Sequence, residues 1–501
     1  MPASTERKMA SGAAWMVLFK LVERSLGLVS TLVLVRLLSP QDFGLVAMAL
    51  SFIFMAELLT GFGFDVALIQ NQAANDRHYH TAWTCNVLVG LFIFLLMLAA
   101  AAPIAAFYAE PAVFWVVCSL AFAPLIGGFE NIGVVAFRKD LRFRSEFAFQ
   151  ISRKLAGFVV VIPLAFWLRS YWALVAGMLA SKTAGTVISY LAHPFRPRFS
   201  ISGAKSLFSF SKWLLLSNVL AFLKERLTDF VIGRSQGAAS LGLYNVAYEL
   251  ANLPTSELGA PINRALLPGF SRIAQDPEQL RSAYVNAMGI LSLFALPAAA
   301  GIFAVAEFLV PVVLGPKWLA AVSLIQILAM FGAIQLFHSS MCAVLIGIGR
   351  PVAVVKASVV FVLLLAILLI ALVGPYGAIG AAVAVVGTSI LSTPAYLIAI
   401  RIHTGIGPAA FVRAITRPLV ASAAMVGILH VSLPSHVASM TGAEMTWWLI
   451  VGILLGALSY CSAVILLWML AARPAGAEAL VVGRIASFAV TKAAEWKRRL
   501  P

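Results

Sequence analysis

Apolar runs of about 20 residues follow one another along almost the whole chain, separated by short polar stretches rich in Arg, Lys, Pro and Gly. A run of that length wound as a helix spans about 30 Å of hydrocarbon. The pattern predicts an all-α integral membrane protein with about fourteen transmembrane helices. The first run, Met16 to Pro40, is too long for a cleaved signal peptide, carries internal charges and lacks a small-residue cleavage site. It is expected to stay as the first helix.

Polar positions inside the runs are spaced, not scattered. Lys20, Glu23, Arg24, Gly27, Ser30 and Thr31 follow i, i+3, i+4, i+7, i+10 and i+11, which places them on one helix face. An ionised side chain at mid-bilayer costs about 2.5 to 3.5 kcal/mol on insertion scales, so such a stripe faces a bundle interior or a wet cavity. A later run repeats the theme with Asn218, Ala221, Lys224, Glu225, Thr228 and Asp229. Further charges fall inside spans: Glu57, Glu130, Arg153, Lys154, Lys182 and Glu249, the last in a stripe with Asn245, Asn252 and Ser256 just before Pro254 would loosen the helix. Each charge can be read as part of a structural ion pair. The first half nevertheless holds more buried cations (Lys20, Arg24, Arg153, Lys154, Lys182) than acids (Glu23, Glu57, Glu130), and a surplus of buried cations calls for an anion. Phosphate is the natural candidate, because Arg forks match its oxygens. Lys20, Arg24, Arg153, Lys182 and Lys224 are the candidate substrate-binding residues, and Glu57 and Glu249 the candidate proton- or cation-coupling groups.

Composition agrees with the pattern: of 501 residues 61% are hydrophobic and 11% charged, with mean hydropathy +0.96. The net charge of +16 could suggest nucleic acid. Its distribution removes the need. Arg77, Arg138, Lys139, Arg142, Arg144, Arg196 and Arg198 fall in loops on one side with both chain ends, whereas the other side offers only Arg36, Arg169, Arg234 and Lys317. This is the positive-inside pattern, with both termini cytoplasmic. Cys85, Cys118, Cys342 and Cys461 are far apart inside spans, so core packing is expected and a disulfide framework is not. No GxxxxGK[ST] cradle or HExxH spacing occurs, His78 and His80 read as a solvated turn, and neither a metal nor a cofactor is expected. The short outer loops leave little room for a catalytic domain, so the chain is not expected to be an enzyme.

Trp15, Arg36, Gly44 and Leu45 recur as Trp213, Arg234, Gly242 and Leu243, each 198 residues further on. The offset divides the spans into six, six and two. Six is even, so the halves enter the membrane in the same sense, as parallel repeats. The expected domains are an N-terminal six-helix lobe over 1–192, a cytoplasmic interfacial linker over 193–212, a C-terminal six-helix lobe over 213–400, two additional helices over 401–473 and a basic amphipathic cytoplasmic tail over 474–501.

The segments "LVRLLSPQDFGLVAMAL" and "ELLTGFGFDVALIQ" resemble the Wzx-type polysaccharide flippases of the multidrug/oligosaccharidyl-lipid/polysaccharide exporter superfamily, nearest to its colanic-acid and exopolysaccharide branch. The motif match covers residues 11 to 90, and helix count and loop charge extend it along the chain. The resemblance implies two six-helix lobes around a central cavity, two extra C-terminal helices, and alternating access. It implies as cargo an oligosaccharide repeat unit on undecaprenyl pyrophosphate, moved from the cytoplasmic to the periplasmic leaflet of the bacterial inner membrane by a monomer working with a polysaccharide polymerase and co-polymerase. No family motif assigns the cationic candidates residue by residue. A lipid II flippase would use the same cations. A cation-coupled multidrug exporter would favour acidic groups in its cavity, and a membrane glycosyltransferase or polymerase would need a catalytic constellation that the sequence does not display.

Overall fold

The computed structural model describes residues 22–60, 64–70, 75–202, 212–434, 436, 439–474 and 476–480. Lys20, most of the tail and residues 203–211 of the linker lie outside the described residues. The described part is helical, without a strand. Its helices are α1 (22–37), α2 (Pro40–Thr60), α3 (Phe64–Gln70), α4 (Asp76–Tyr108), α5 (Ala112–Leu120), α6 (Phe122–Gly128), α7 (Val135–Lys139), α8 (Phe143–Leu168), α9 (Trp172–Ala192), α10 (Lys212–Arg272), α11 (Pro277–Leu309), α12 (Ala321–Gly347), α13 (Pro351–Thr404), α14 (Pro408–Ser432) and α15 (Gly442–Leu470).

Nine of the described helices are long and apolar enough to cross a membrane unaided, and Ala112–Gly128 with Ile132–Lys139 form a bent pair at 65°. Two very long helices are interrupted where glycine takes a left-handed backbone, at Gly237 in α10 (φ 77°) and Gly377 in α13 (φ 59°). Counting each side of these breaks, the bent pair and α1 gives fourteen segments among the described residues, as the hydropathy pattern predicts. Pro254, by contrast, does not interrupt α10.

The chain divides into two compact units, residues 1–245 and 246–501. In the first, the motif SPQD builds a helix start. Ser39 precedes α2, Pro40 supplies a preset φ at its first position, and Asp42 turns back to accept from the Ser39 N–H at 2.9 Å. The other Asp42 oxygen accepts from the Tyr171 N–H at 2.8 Å, pinning α2 to the start of α9. Helices α8 and α9 lie side by side, brought close by Gly157 and Gly177. The start of α2 also meets the part of α10 beyond its break. A Cβ on Gly44 would overlap the Ala238 carbonyl oxygen, and one on Gly242 would overlap the Pro40 carbonyl oxygen. Pro40 and Ala238, like Gly44 and Gly242, are 198 residues apart, so the contact is reciprocal at the spacing of the sequence offset.

In the second unit, α11 starts at an Asp276 cap that accepts from the Glu278 and Gln279 N–H groups, both at 3.0 Å, and packs against α12 and α14. The Tyr460 hydroxyl of α15 donates to the Leu293 carbonyl at 2.9 Å. Beyond α15, Ala477 lies against Gly289, and Glu478, itself 6% exposed, pairs with Arg417 at 3.0 Å. The cysteines are free: Cys85 is buried as expected, but Cys461 is exposed on α15 because its helix face turns away from α11 and α14.

Candidate functional site

The first unit gathers many of the in-span charges. The Lys154 ammonium of α8 meets Glu23 of α1 at 2.7 Å, and the Arg153 guanidinium meets Glu130, at the bend after α6, at 3.6 Å. Arg153 lies along α9, its Cδ 2.6 Å from where a Gly185 Cβ would stand. Lys182 of α9 comes within 3.8 Å of the same construction at Gly127 and within electrostatic reach of Glu57 and Glu130. Arg24 is half-buried on α1 beside Glu23. All of these side chains keep partial exposure, so they remain accessible to a charged ligand.

Next to this group lies a polar cavity of about 220 Å³ lined by Glu130, Arg153, Arg138, Asp65, Glu146 and Gln150, among others. Arg138 bridges Asp65 at 3.2 Å and Glu146 at 3.8 Å. One wall is fixed by Asn131, fully buried, whose N–H donates to the Ser189 hydroxyl at 2.8 Å and whose amide donates to the Phe195 carbonyl at 2.7 Å. This holds residues 193–202 against the ends of α4 and α7. His80 accepts from the Arg198 N–H at 2.9 Å and packs on Phe195, while His78 bonds Asn75 at 2.7 Å at the start of α4. The two histidines thus organise the linker and the helix start. Burial, with Arg142 and Arg196 nearby, holds His193 below its ordinary value, and its neutral Nδ1 accepts from the Phe195 N–H at 3.2 Å.

Other sequence candidates stand apart. Lys224 is half-buried on α10, and Glu249 is exposed in the second unit. In the stripe from Asn218 to Asp229, Asn218, Ala221 and Glu225 are exposed, and burial deepens to 3% exposure at Thr228 and 2% at Asp229. Sequence reasoning missed Asn131 and Asp65 as site-builders and gave Asp229 no role. The available signal for Asp229 was its i, i+3 spacing from Arg226.

The second unit offers a different chemistry. Between α11, α12, the later part of α13 and α14 lies an apolar groove of about 840 Å³, walled by residues such as Phe303, Met330, Phe337, Leu397, Ile415 and Val426.

A family described as polysaccharide biosynthesis protein matches residues 33–323, more than half of the chain. The chain belongs to that family. Among similar proteins, lipopolysaccharide biosynthesis protein WzxC of Escherichia coli (strain K12) is 27% identical, over 66% of this chain and 68% of its own. Succinoglycan biosynthesis transport protein ExoT of Rhizobium meliloti (strain 1021) is 24% identical, over 70% and 71%. Among solved structures, the lipid II flippase MurJ in an inward closed conformation superposes with a TM-score of 0.72 at 14% identity, over 90% of this chain and 98% of its own. The chain therefore has the fold of that flippase, an all-helical membrane architecture of the kind expected from the sequence. This member of the polysaccharide biosynthesis family is a multi-pass membrane protein.

Proposed function

We propose that this protein flips undecaprenyl-pyrophosphate-linked oligosaccharide repeat units from the cytoplasmic to the periplasmic leaflet of a bacterial inner membrane, by alternating access, for exopolysaccharide assembly. The observation that carries the reading is the charged group of the first unit, in which Arg24, Arg153, Lys154 and Lys182 share a membrane-embedded region with Glu23, Glu57 and Glu130. A pyrophosphate entering this group would exchange carboxylate partners for phosphate oxygens, with Arg153 the best fork for it. Arg24, Lys182 and Lys224, with Lys20 beyond the described residues, complete the proposed cationic set, and Glu57 and Glu249 are proposed coupling acids. The names of WzxC and ExoT, tied to lipopolysaccharide and succinoglycan biosynthesis, support a lipid-linked sugar as cargo. The basic end bearing Arg138, Lys139, Arg142 and Arg144 is assigned to the cytoplasm, with both termini on that side and the polymerase and co-polymerase as downstream partners.

The test is the sidedness of labelled undecaprenyl-pyrophosphate oligosaccharide in proteoliposomes, with and without a proton gradient. Movement of the probe, lost in Arg153→Ala at normal protein level and only partly restored in Arg153→Lys, is the expected result. A protein that leaves the probe in place and exports a cationic dye would be a drug exporter.

A further inference from the structure

Asp229 is the most deeply buried carboxylate on any helix of the first unit among the described residues, at 2% exposure, and no part of the proposed cargo site uses it. Three separate pieces of the fold meet on it. From its own helix, the Arg226 guanidinium reaches its Oδ2 at 3.1 Å. From α2, the Ser51 hydroxyl, which donates to the Ala47 carbonyl at 2.9 Å, lies 3.5 Å from the same oxygen. From beyond the break at Gly237, the Asn245 side chain adds a hydrogen bond. Tyr108, at the end of α4 and 2% exposed, stands beside the group, with its ring against Gly233 one turn further along α10. Phe52 closes the site by packing edge-on against Phe230 at 5.0 Å and against Tyr108 at 5.8 Å.

The ionisable groups facing Asp229 are thus Arg226 and Tyr108, while α2 and the later part of α10 present only a hydroxyl and an amide. The arrangement is asymmetric. The Asp229 side chain is 3% exposed, whereas that of Arg226 is 30% exposed and its guanidinium lies 4.7 Å from the Phe54 ring. Arg226 therefore already has a second partner, an aromatic face, and access to water, which would hold it if the bond to Asp229 broke. A buried carboxylate that loses its one cationic partner takes up a proton in preference to remaining charged, and as a carboxylic acid it is still satisfied by Ser51 and Asn245.

We propose that Asp229 is a proton-binding site of the transport cycle. A proton adds to its carboxylate and the bond to Arg226 breaks, leaving Arg226 held by its contact with Phe54. The carboxyl group then holds α2 and the two pieces of α10 through neutral hydrogen bonds alone. Because these are the elements joined at Gly44 and Gly242, proton occupancy alters the strength of that junction.

The site itself is tested by infrared difference spectra of the full-length protein in proteoliposomes between acidic and alkaline pH. A protonated-carboxyl band is expected in the wild type, absent in Asp229→Asn and shifted in Asp229→Glu. Its pH midpoint is expected to move in Ser51→Ala, which serves even where the Asp229 variants fold poorly. A band that persists in Asp229→Asn, or a midpoint unmoved in Ser51→Ala, overturns the proposal. The role in transport rests on the flippase reading and has its own arm. With labelled undecaprenyl-pyrophosphate oligosaccharide, Asp229→Asn is expected to keep ungraded movement and lose the stimulation by a proton gradient. Stimulation by a sodium gradient in place of a proton gradient overturns it. A wild type that moves no probe but shows the Asp229-dependent band refutes the cargo assignment and upholds the proton site.

Discussion

Arg153 shows how much of a functional side chain's geometry is set by a residue with no side chain. Its aliphatic stem occupies the space over Gly185, and that placement brings its guanidinium to Glu130 and to the rim of the polar cavity. Gly185→Ala puts a methyl group into the stem, with Cβ and Cδ 2.6 Å apart, and the arginine must swing away. The expected outcome is at least a tenfold loss of probe translocation, about 1.4 kcal/mol in the transport barrier, with membrane protein level unchanged. Translocation assays alongside quantitative immunoblots check it. The charges themselves were legible in the sequence, because an ionised residue inside an apolar run has few alternatives to a shared interior. Their pairing was not: that Lys154 takes Glu23 and Arg153 takes Glu130 depends on how α8 is rotated against α1 and α6, which helical spacing leaves open.

At the level of elements, hydropathy located the spans, and the 198-residue offset picks out one pair of segments that meet. The junction between the start of α2 and the part of α10 beyond Gly237 is where that offset becomes a contact. The backbones are so close that neither Gly44 nor Gly242 has room for a Cβ beside the opposing carbonyl. Gly44→Leu and Gly242→Leu are each expected to separate the helices and lower the thermal stability of the purified protein. The double variant is expected to lose little more than either single one, because the first already opens the junction. Thermal unfolding of the three variants in one detergent checks the non-additivity. What the sequence concealed here is the linker. Residues 193–202 read as a linker lying on the membrane surface, yet Asn131, His80 and Thr84 fasten them to the ends of α4 and α7 through backbone hydrogen bonds that leave no side-chain pattern.

For the whole molecule, the proposed orientation rests on the uneven distribution of Arg and Lys among the loops. With the native cysteines replaced, a membrane-impermeant thiol reagent added to intact cells is expected to label Ser170→Cys, in the turn before α9, and to spare Ser145→Cys at the start of α8. Labelling in the opposite sense would invert the assigned topology. The reciprocal junction of the first unit bears on ancestry. When residue i of one segment meets residue j of another, and j of the first meets i of the second, the pair obeys the rule of a two-fold interface between identical chains. A six-helix chain able to pair with its own copy through such glycines would already have made this contact, and fusing two copies would have preserved it without any new surface having to arise. On that history, the halves of a fused chain would be free to diverge everywhere except at this contact.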